Sequence, residues 1–318
     1  MSRLVPYEEL AEVVPDGPPL LMVDRVELID ENHARGVKTV SMDEACFQGH
    51  FPGAPIMPGV LQVAAMKQVA GALMLNGGKG DEFLTRVKSI NRIKFRKPVL
   101  PGDLMLVDVE VIERTDKGTI IFLAKTTVDG STASQGKIEL EYVEPDAAVP
   151  RASQLVTPMR KLPNLKDYTS FNIDALMGII PHRFPFLLID RILGMNDGRT
   201  HVVGIKNVTG NEPLFAGTPM PVFPEYVLVE VAAQAACVVA LKIPGNESKL
   251  GFFMSIDEAH FAKPVVPGDQ VVIDLQLNDR GRFGLASGGL YVGDELAVSC
   301  SLKFAILARE DSAMNNQH

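Results

Sequence analysis

The sequence predicts an α+β protein made of two tandem copies of one domain, each an antiparallel sheet wrapped around one long buried helix. The tandem copies are visible as repeated segments. PLLMVDRV (19–26) returns 166 residues later as PFLLIDRI (185–192), and SINRIKFRKPVLPGD (89–103) returns at the same spacing as SIDEAHFAKPVVPGD (255–269). Such long self-similarity indicates duplication of a whole domain, since the period is far too long for a solenoid.

The predicted elements follow the same order in both copies. A short helix at 7–14 or 173–180 is followed by a strand around an Asp-Arg pair, a strand at 37–42 or 201–208, and a long helix at 59–75 or 225–242. Several β-rich segments come next, such as LMLVDVEVIE, TIIFLAKTTV and KIELEYV in the first copy. The long helix is apolar on most faces, which is typical of a buried helix. A sheet curled around that helix would bury it.

A composition change marks the boundary between the copies. The segment EPDAAVPRASQLVTPMRKLPNL (144–165) is rich in proline, alanine and charge, and it lacks periodicity. We therefore predict a first domain at 1–148, a linker at 149–165 and a second domain at 166–318.

Composition excludes several classes of function. The net charge of −8 predicts no general attraction to nucleic acid or to an anionic membrane. The cysteines are odd in number and widely spaced (Cys46, Cys237 and Cys300), which fits a reducing cytoplasm and predicts neither disulfides nor a metal site.

The first residues do not resemble a secretory leader. The apolar run at 226–241 is interrupted by Glu230 and Gln234, so it predicts a buried helix rather than a membrane span.

The first candidate functional residue is His50, in GHFPGAPIMPGVL (49–61). Glycines and prolines fix an irregular backbone around it, just before the long helix begins at Gly59. Free N–H groups at that helix start could hold a developing oxyanion. An ordinary loop histidine beside a turn is the alternative.

The second candidate is Glu230, the only carboxylate inside the apolar helix of the second copy. Burial should raise its pKa, which would suit a general acid. Gln234 lies one turn further on and could hydrogen-bond to it. Alternatively, Glu230 faces a gap filled with solvent.

The alignment of the copies shows that neither contains both groups. Glu230 aligns with Ala64, and His50 aligns with Thr218 or falls in a two-residue gap. Gln68 and Gln234 are present in corresponding positions.

The segment 49–61 resembles the signature of the FabA/FabZ family of 3-hydroxyacyl-acyl-carrier-protein dehydratases. In the second copy PHRFPFLLIDR (181–191), KNVTGNEPLF (206–215) and VEVAAQAA (229–236) resemble it too. The resemblance implies the hot-dog fold, with the two copies paired as an intramolecular pseudo-dimer. It also implies a site formed by a loop histidine of one unit and a helix carboxylate of the other, which here are His50 and Glu230. Glutamate at this position is similar to the FabZ branch.

The resemblance implies dehydration of a 3-hydroxyacyl thioester to a trans-2-enoyl thioester, without a metal or organic cofactor. The substrate would arrive on the phosphopantetheine of an acyl carrier protein. The role of oxyanion stabilisation or substrate positioning is assigned to four residues: Gly59, Gln234, Ile56 and Pro58. In the second composite site Thr218 would face Ala64, and this site would be inactive.

A small basic cluster of Lys94, Arg96 and Lys97 is a candidate docking patch for the acidic carrier. A solvated strand face is the alternative reading. Two other functions remain open from the sequence: a hot-dog acyl thioesterase and an inactive acyl-binding scaffold. The acyl chain length, the pathway and assembly of pseudo-dimers into a homo-oligomer also remain open.

Overall fold

The structure, a computed structural model, describes residues 2–14, 16–76, 79–149, 155–218, 221–246, 249–279 and 283–308. Repeat one comprises β1 (Arg3–Val5), α1 (Tyr7–Val13), β2 (Arg25–Leu28), β3 (His33–Thr39), α2 (Gly59–Met74), β4 (Leu84–Phe95), β5 (Leu104–Arg114), β6 (Thr119–Val128), β7 (Ser131–Val143) and α3 (Pro145–Ala148). Repeat two comprises β8 (Thr169–Phe171), α4 (Ile173–Ile179), β9 (Arg191–Met195), β10 (His201–Asn207), α5 (Glu225–Leu241), β11 (Lys249–Phe261), β12 (Gln270–Asp279), β13 (Phe283–Val292) and β14 (Glu295–Ala308).

All strands of the described residues form a single antiparallel sheet. Its 14 strands run in the order β1-β2-β3-β5-β6-β7-β4-β11-β14-β13-β12-β10-β9-β8, so each repeat supplies one half and the halves mirror each other. The repeats join where β4 pairs with β11, from Lys94 opposite Ser255 to Ser89 opposite His260. The predicted pseudo-dimer with a continuous sheet is therefore confirmed.

The two long helices lie inside the curled sheet and pack against each other. Every residue of α2 from Val60 to Met74 is buried, and α5 is buried along nearly its whole length. Both helices start directly after a proline, Pro58 or Pro224, whose fixed φ suits the position before a helix. Burial of both helices, predicted from their apolar faces, gives each repeat the hot-dog arrangement.

Strand β3 begins at His33, four residues before the predicted start. The carboxylate of Asp30 accepts hydrogen bonds from the backbone N–H groups of Asn32 and His33 and closes a tight turn. Pairing with β2 and β5 starts immediately after that turn. This local capping is a side-chain effect that hydropathy alone does not reveal.

The segment between the repeats lies partly outside the described residues, because 150–154 belong to it. Further along, Arg160 places its guanidinium 3.7 Å from the ring centroid of Tyr291 on β13. The predicted domain boundaries at 148 and 165 stay a prediction. Within the part of the chain that the structure describes, none of the helices combines the length and apolar character needed to cross a membrane.

Candidate active site

The loop before α2 holds His50 in one orientation. Its backbone N–H donates to the carbonyl of Cys46 at 2.8 Å, at the end of a short 3-10 turn (Ala45–Gln48). The Nδ1 atom lies 2.7 Å from the carbonyl oxygen of Ile56, whose own N–H donates to the carbonyl of His50. A carbonyl can only accept, so Nδ1 carries the hydrogen and the lone pair is on Nε2. The loop therefore presents Nε2 as a base, and Ile56 positions it through its backbone.

The surroundings of the His50 ring favour its neutral form. Phe51 stacks on the ring at 3.9 Å between centroids, and Phe186 of repeat two approaches edge-on at 5.6 Å. Burial, followed by the electrostatic effect of the neighbouring His182, lowers the pKa of His50 to about 4. His50 is therefore unprotonated at neutral pH and able to accept a proton.

Glu230 lies in the middle of α5 with only 5% of its surface exposed. Gln234, one helical turn further on, donates from Nε2 to Glu230 Oε1 at 3.1 Å, as the i,i+4 spacing predicted. Gln234 also donates to the carbonyl of Phe186 and accepts from the N–H of Leu188. These bonds tie α5 to the segment before β9 and fix the orientation of the carboxylate.

The same tie exists in repeat one. Gln68 accepts from the N–H groups of Met22 and Val23 and donates to the carbonyl of Leu20. The glutamine thus has a structural function in both repeats, and only in repeat two does it also reach a carboxylate.

Sequence reasoning missed a second histidine, His182. It is 5% exposed, and its Nε2 lies 3.3 Å from Glu230 Oε1. The loop that contains it packs on the loop of His50, since the N–H of Arg183 donates to the carbonyl of Gly49 at 3.0 Å. The repeat alignment contained a signal, because His182 corresponds to Asp16 at a position three residues before the PFLLIDR segment.

The expectation that burial raises the pKa of Glu230 is wrong. Burial does raise it, but the hydrogen bond and electrostatic effect of His182, then the electrostatic effect of His50 and the hydrogen bond from Gln234, outweigh burial and lower the pKa of Glu230 below its usual value. The expectation considered only the apolar helix, whereas the decisive donor comes from a distant loop.

His50, His182 and Glu230 line one cavity of about 320 Å³ between the repeats. Its remaining wall is mostly apolar and contains Phe95, Phe252, Phe253, Leu302, Phe304 and Leu307. A cavity with one polar cluster and long apolar walls suits a ligand with a reactive head and a hydrocarbon chain.

Gly59 lies in the same wall as the first residue of α2, and Pro58 precedes it as the N-cap. The first N–H groups of a helix have no partner within the helix and can bind an oxyanion. A Cβ atom on Gly59 would lie 2.8 Å from the ring of Phe95, so glycine is required for this close packing.

The basic cluster reaches the cavity in part. Arg96 and Lys97 line it, and Lys97 also lies 3.4 Å from Asp129 Oδ2. Lys94 is exposed on β4, opposite Ser255.

A different set of residues fills the pseudo-symmetric position. Asp16 takes the place of His182, and its carboxylate lies 2.9 Å from Lys67 Nζ and accepts from Tyr226 Oη at 3.3 Å. Glu225 stands where the other site has Gly59. Only about 70 Å³ remains in this cavity, which Thr218 also lines. Buried charged side chains thus occupy the space that the first site leaves open.

The donor atoms of His50, His182 and Glu230 lie within 4.8 Å of one another. That spacing does not place them in one coordination sphere, because two ligands at about 2.1 Å from a zinc ion are at most about 4.2 Å apart. The absence of a metal stays a prediction.

Comparison with known proteins supports the family resemblance. A family model described as a FabA-like domain matches residues 14–137 and again 180–301. The chain is 47% identical over 138 residues to the 3-hydroxyacyl-[acyl-carrier-protein] dehydratase FabZ of Pelotomaculum thermopropionicum. The aligned stretch covers 42% of this chain and 98% of that protein. It is 41% identical over 144 residues to the FabZ of Vibrio cholerae, covering 44% of this chain and 94% of that protein.

Solved structures with a similar fold match over most of the chain. The dehydratase domain of RzxB from Pseudomonas fluorescens has a TM-score of 0.60 at 12% identity, covering 90% of this chain and 98% of that one. A trans-AT polyketide synthase dehydratase domain from Brevibacillus brevis has a TM-score of 0.59 at 12% identity, covering 93% and 99%. At such low identity these structures show the shared fold alone.

Proposed function

The chain belongs to the FabA-like family, with one family domain in each repeat, and from this premise we propose that the two domains together form a single dehydration site. The enzyme is a 3-hydroxyacyl-acyl-carrier-protein dehydratase, the activity for which its FabZ relatives are named. It converts the 3-hydroxyacyl thioester to the trans-2-enoyl thioester of type II fatty acid synthesis. The observation that supports a single site is that His50 of repeat one and Glu230 of repeat two line the same cavity.

His50 acts as the base in this proposal. Its unprotonated Nε2 removes a proton from the carbon next to the thioester carbonyl. The negative charge that develops on the carbonyl oxygen is stabilised by N–H groups at the start of α2, where Gly59 permits close approach. Neutral His50 is ready for this step because its pKa is lowered to about 4.

Glu230 acts as the acid in its protonated form, which is the minor form at neutral pH because the pKa of this carboxyl group is lowered. As the bond between the third carbon and its hydroxyl breaks, the carboxyl group donates a proton and the hydroxyl leaves as water. Gln234 and Ile56 position the two groups, and no cofactor takes part in either step. The apolar side chains of the cavity accommodate the acyl chain.

The acyl carrier protein is the partner that delivers the substrate. Arg96 and Lys97 at the cavity, with Lys94 nearby, provide positive charge for an acidic carrier. The corresponding residues of repeat two are Ala262, Lys263 and His260, and Lys263 and His260 contact Glu295 and Glu258. The carrier therefore docks at the cavity that Arg96 and Lys97 line. Three cysteines without a disulfide are in keeping with a cytoplasmic enzyme.

Substitution of each reactive group tests the proposed site. His50→Ala and Glu230→Gln should each lower kcat by about 10²- to 10⁴-fold, the contribution typical of general acid–base groups. Because the two groups act as one unit, the double variant should be little worse than either single one. The assay follows the absorbance of a crotonyl-pantetheine thioester as water adds across its double bond.

Thr218→Ala, in the second cavity, is the matched control and should keep wild-type activity. Substantial dehydration by His50→Ala would contradict the assignment. Loss of absorbance with release of free thiol would instead show a thioesterase.

A further inference from the structure

The cavity continues from the reactive groups along one face of α5. Glu230, Ala233, Gln234 and Cys237 line it, and their spacing of three or four residues places them on the same side of the helix. Every residue of α5 belongs to the described part of the chain, and all are buried except Ala233 and Cys237. Both therefore border open space within the protein. We call this part of the cavity, between Glu230 and Cys237, the α5 arm.

The α5 arm ends where β11 meets the helix. A Cβ atom added to Gly251 would lie 2.8 Å from Cys237 Sγ, which is too close for a relaxed contact. The backbone of β11 therefore already packs against the thiol, and no hydrocarbon fits between them. Leu307 of β14 lines the cavity near this point, since its strand partner is Leu250, the neighbour of Gly251. The contact of the strand with the helix thus sets the length of the arm.

The second cavity shows the effect of larger side chains at the same positions. Lys67 corresponds to Ala233, and Thr85 corresponds to Gly251, in the alignment of the repeats. Both larger residues are buried and line that cavity, which measures about 70 Å³ against about 320 Å³ for the first. Small residues on α5 and β11 therefore account for part of the additional space in the first cavity.

The walls of the α5 arm favour a hydrocarbon chain. Strands β11 and β14 contribute apolar side chains to the cavity, namely Phe252, Leu302, Phe304 and Leu307. Burial, followed by the charge of Glu230, raises the pKa of the Cys237 thiol to about 12, so this group is neutral as well. Pantetheine carries amide groups, whose burial without hydrogen-bond partners is unfavourable. The arm therefore suits the acyl chain of the thioester rather than its pantetheine.

The length of the arm limits the chain that it holds. Cys237 follows Glu230 by seven residues, so the two lie about 10 Å apart along the helix axis at about 1.5 Å per residue. An extended chain with C–C bonds of about 1.5 Å advances about 1.3 Å per carbon, so about eight carbons span that distance. The third carbon of the substrate, whose hydroxyl Glu230 protonates, marks the start of this span. The total is therefore about ten carbons.

We propose that the α5 arm is the acyl site of the enzyme and that Ala233 and Cys237 determine its chain-length specificity. The preferred substrates are medium-chain 3-hydroxyacyl thioesters of up to about ten carbons. Ala233 lies about 4.5 Å from Glu230 along the axis, where about the sixth carbon passes, and Cys237 meets the end of the chain. This inference rests on the proposed dehydration of 3-hydroxyacyl thioesters.

Methionine at these two positions tests the inference at two depths of the arm. For 3-hydroxyacyl-pantetheine thioesters of four to fourteen carbons, kcat/KM of the wild type should rise about fourfold per carbon up to about ten carbons, because each buried methylene strengthens binding. The rise should stop at about six carbons in Ala233→Met and at about eight in Cys237→Met. The ratio of kcat/KM for the ten-carbon substrate to that for the four-carbon substrate should fall about 200-fold in the first variant and about 15-fold in the second.

Cys237→Ser is the matched control, because it nearly keeps the size of the side chain, and its chain-length limit should equal that of the wild type. Circular dichroism checks the fold of each variant, and the wild-type series tests the limit without any substitution. An unchanged ratio in folded methionine variants, or a wild-type kcat/KM that keeps rising to fourteen carbons, would overturn the inference. So would an equal loss at every chain length, because it would place pantetheine in the arm. A wild-type protein that dehydrates none of these substrates would refute the proposed function itself.

Discussion

His50 and Glu230 are both buried, yet their surroundings act on them differently. Burial disfavours the charged form of each group. His50 has no anion in hydrogen-bond contact through Nε2, so burial dominates and its pKa falls. Glu230 accepts bonds from His182 and Gln234, so burial is outweighed. The number of donors around each group, rather than depth alone, decides its protonation.

The lowered pKa of His50 predicts the acid limb of the activity profile. An ordinary histidine loses its proton near pH 6.5, whereas His50 should stay neutral down to about pH 4. Because the base must be neutral, the acid limb of kcat/KM should lie near pH 4 rather than near 6.5. Steady-state rates between pH 4 and 8, over the range in which circular dichroism shows a folded protein, provide the measurement. An acid limb near 6.5 would contradict the lowered pKa.

Charge at the cavity mouth is predicted to act on the carrier and not on the chemistry. Arg96→Glu should raise KM for carrier-bound substrate several-fold, because it repels an acidic partner, and should leave KM for a short pantetheine thioester unchanged. Lys263→Glu, at the corresponding position of repeat two, is the matched control. Equal effects of Arg96→Glu on both substrates would assign that residue to the site or the fold.

At the scale of elements, α2 and α5 are equivalent in position but carry different polar groups. Helix α5 contributes Glu230 to the open cavity, whereas α2 has Ala64 at the equivalent position and contributes Lys67 to the filled cavity. Burial lowers the pKa of Lys67, but the charges of Asp16 and Glu225 outweigh this effect and raise it. The lysine therefore stays charged and neutralises buried carboxylates.

Removal of that lysine should destabilise the protein. Lys67→Met leaves Asp16 buried without its cation and should cost about 3–5 kcal/mol in the free energy of unfolding. Urea denaturation provides the measurement. Lys263→Met, which breaks the exposed pair with Glu295, should cost no more than about 1 kcal/mol. Equal effects of the two changes would show that the buried pair is not needed for stability.

At the scale of the whole molecule, one sheet unites two repeats that are no longer equivalent. The β4–β11 pairing and the packing of α2 on α5 create two cavities related by approximate symmetry. One is open and holds His50 with Glu230, and the other is filled by charged side chains. In the proposed function, each repeat therefore depends on the other for a complete site.

This dependence predicts complementation. Residues 1–148 alone supply His50 without an acid, and residues 149–318 alone supply Glu230 without the loop histidine. Neither fragment should dehydrate substrate, whereas co-expressed fragments should pair through β4 and β11 and recover activity. Size-exclusion chromatography with the crotonyl-thioester assay provides the test. It also checks the predicted domain boundaries, and activity in either fragment alone would contradict the composite site.

The sequence by itself determined the duplication, the α+β class, the two buried helices and the choice of His50 and Glu230 as candidates. These follow from repeated segments and apolar periodicity, which are local or are shared by both copies. Only the tertiary structure revealed His182 beside Glu230, the lowered pKa of that carboxyl group and the Asp16–Lys67 pair in the second cavity. The physical reason is that a pKa depends on donors and charges within a few ångströms. Those donors come from loops distant in sequence, and the folded sheet brings them to the helices.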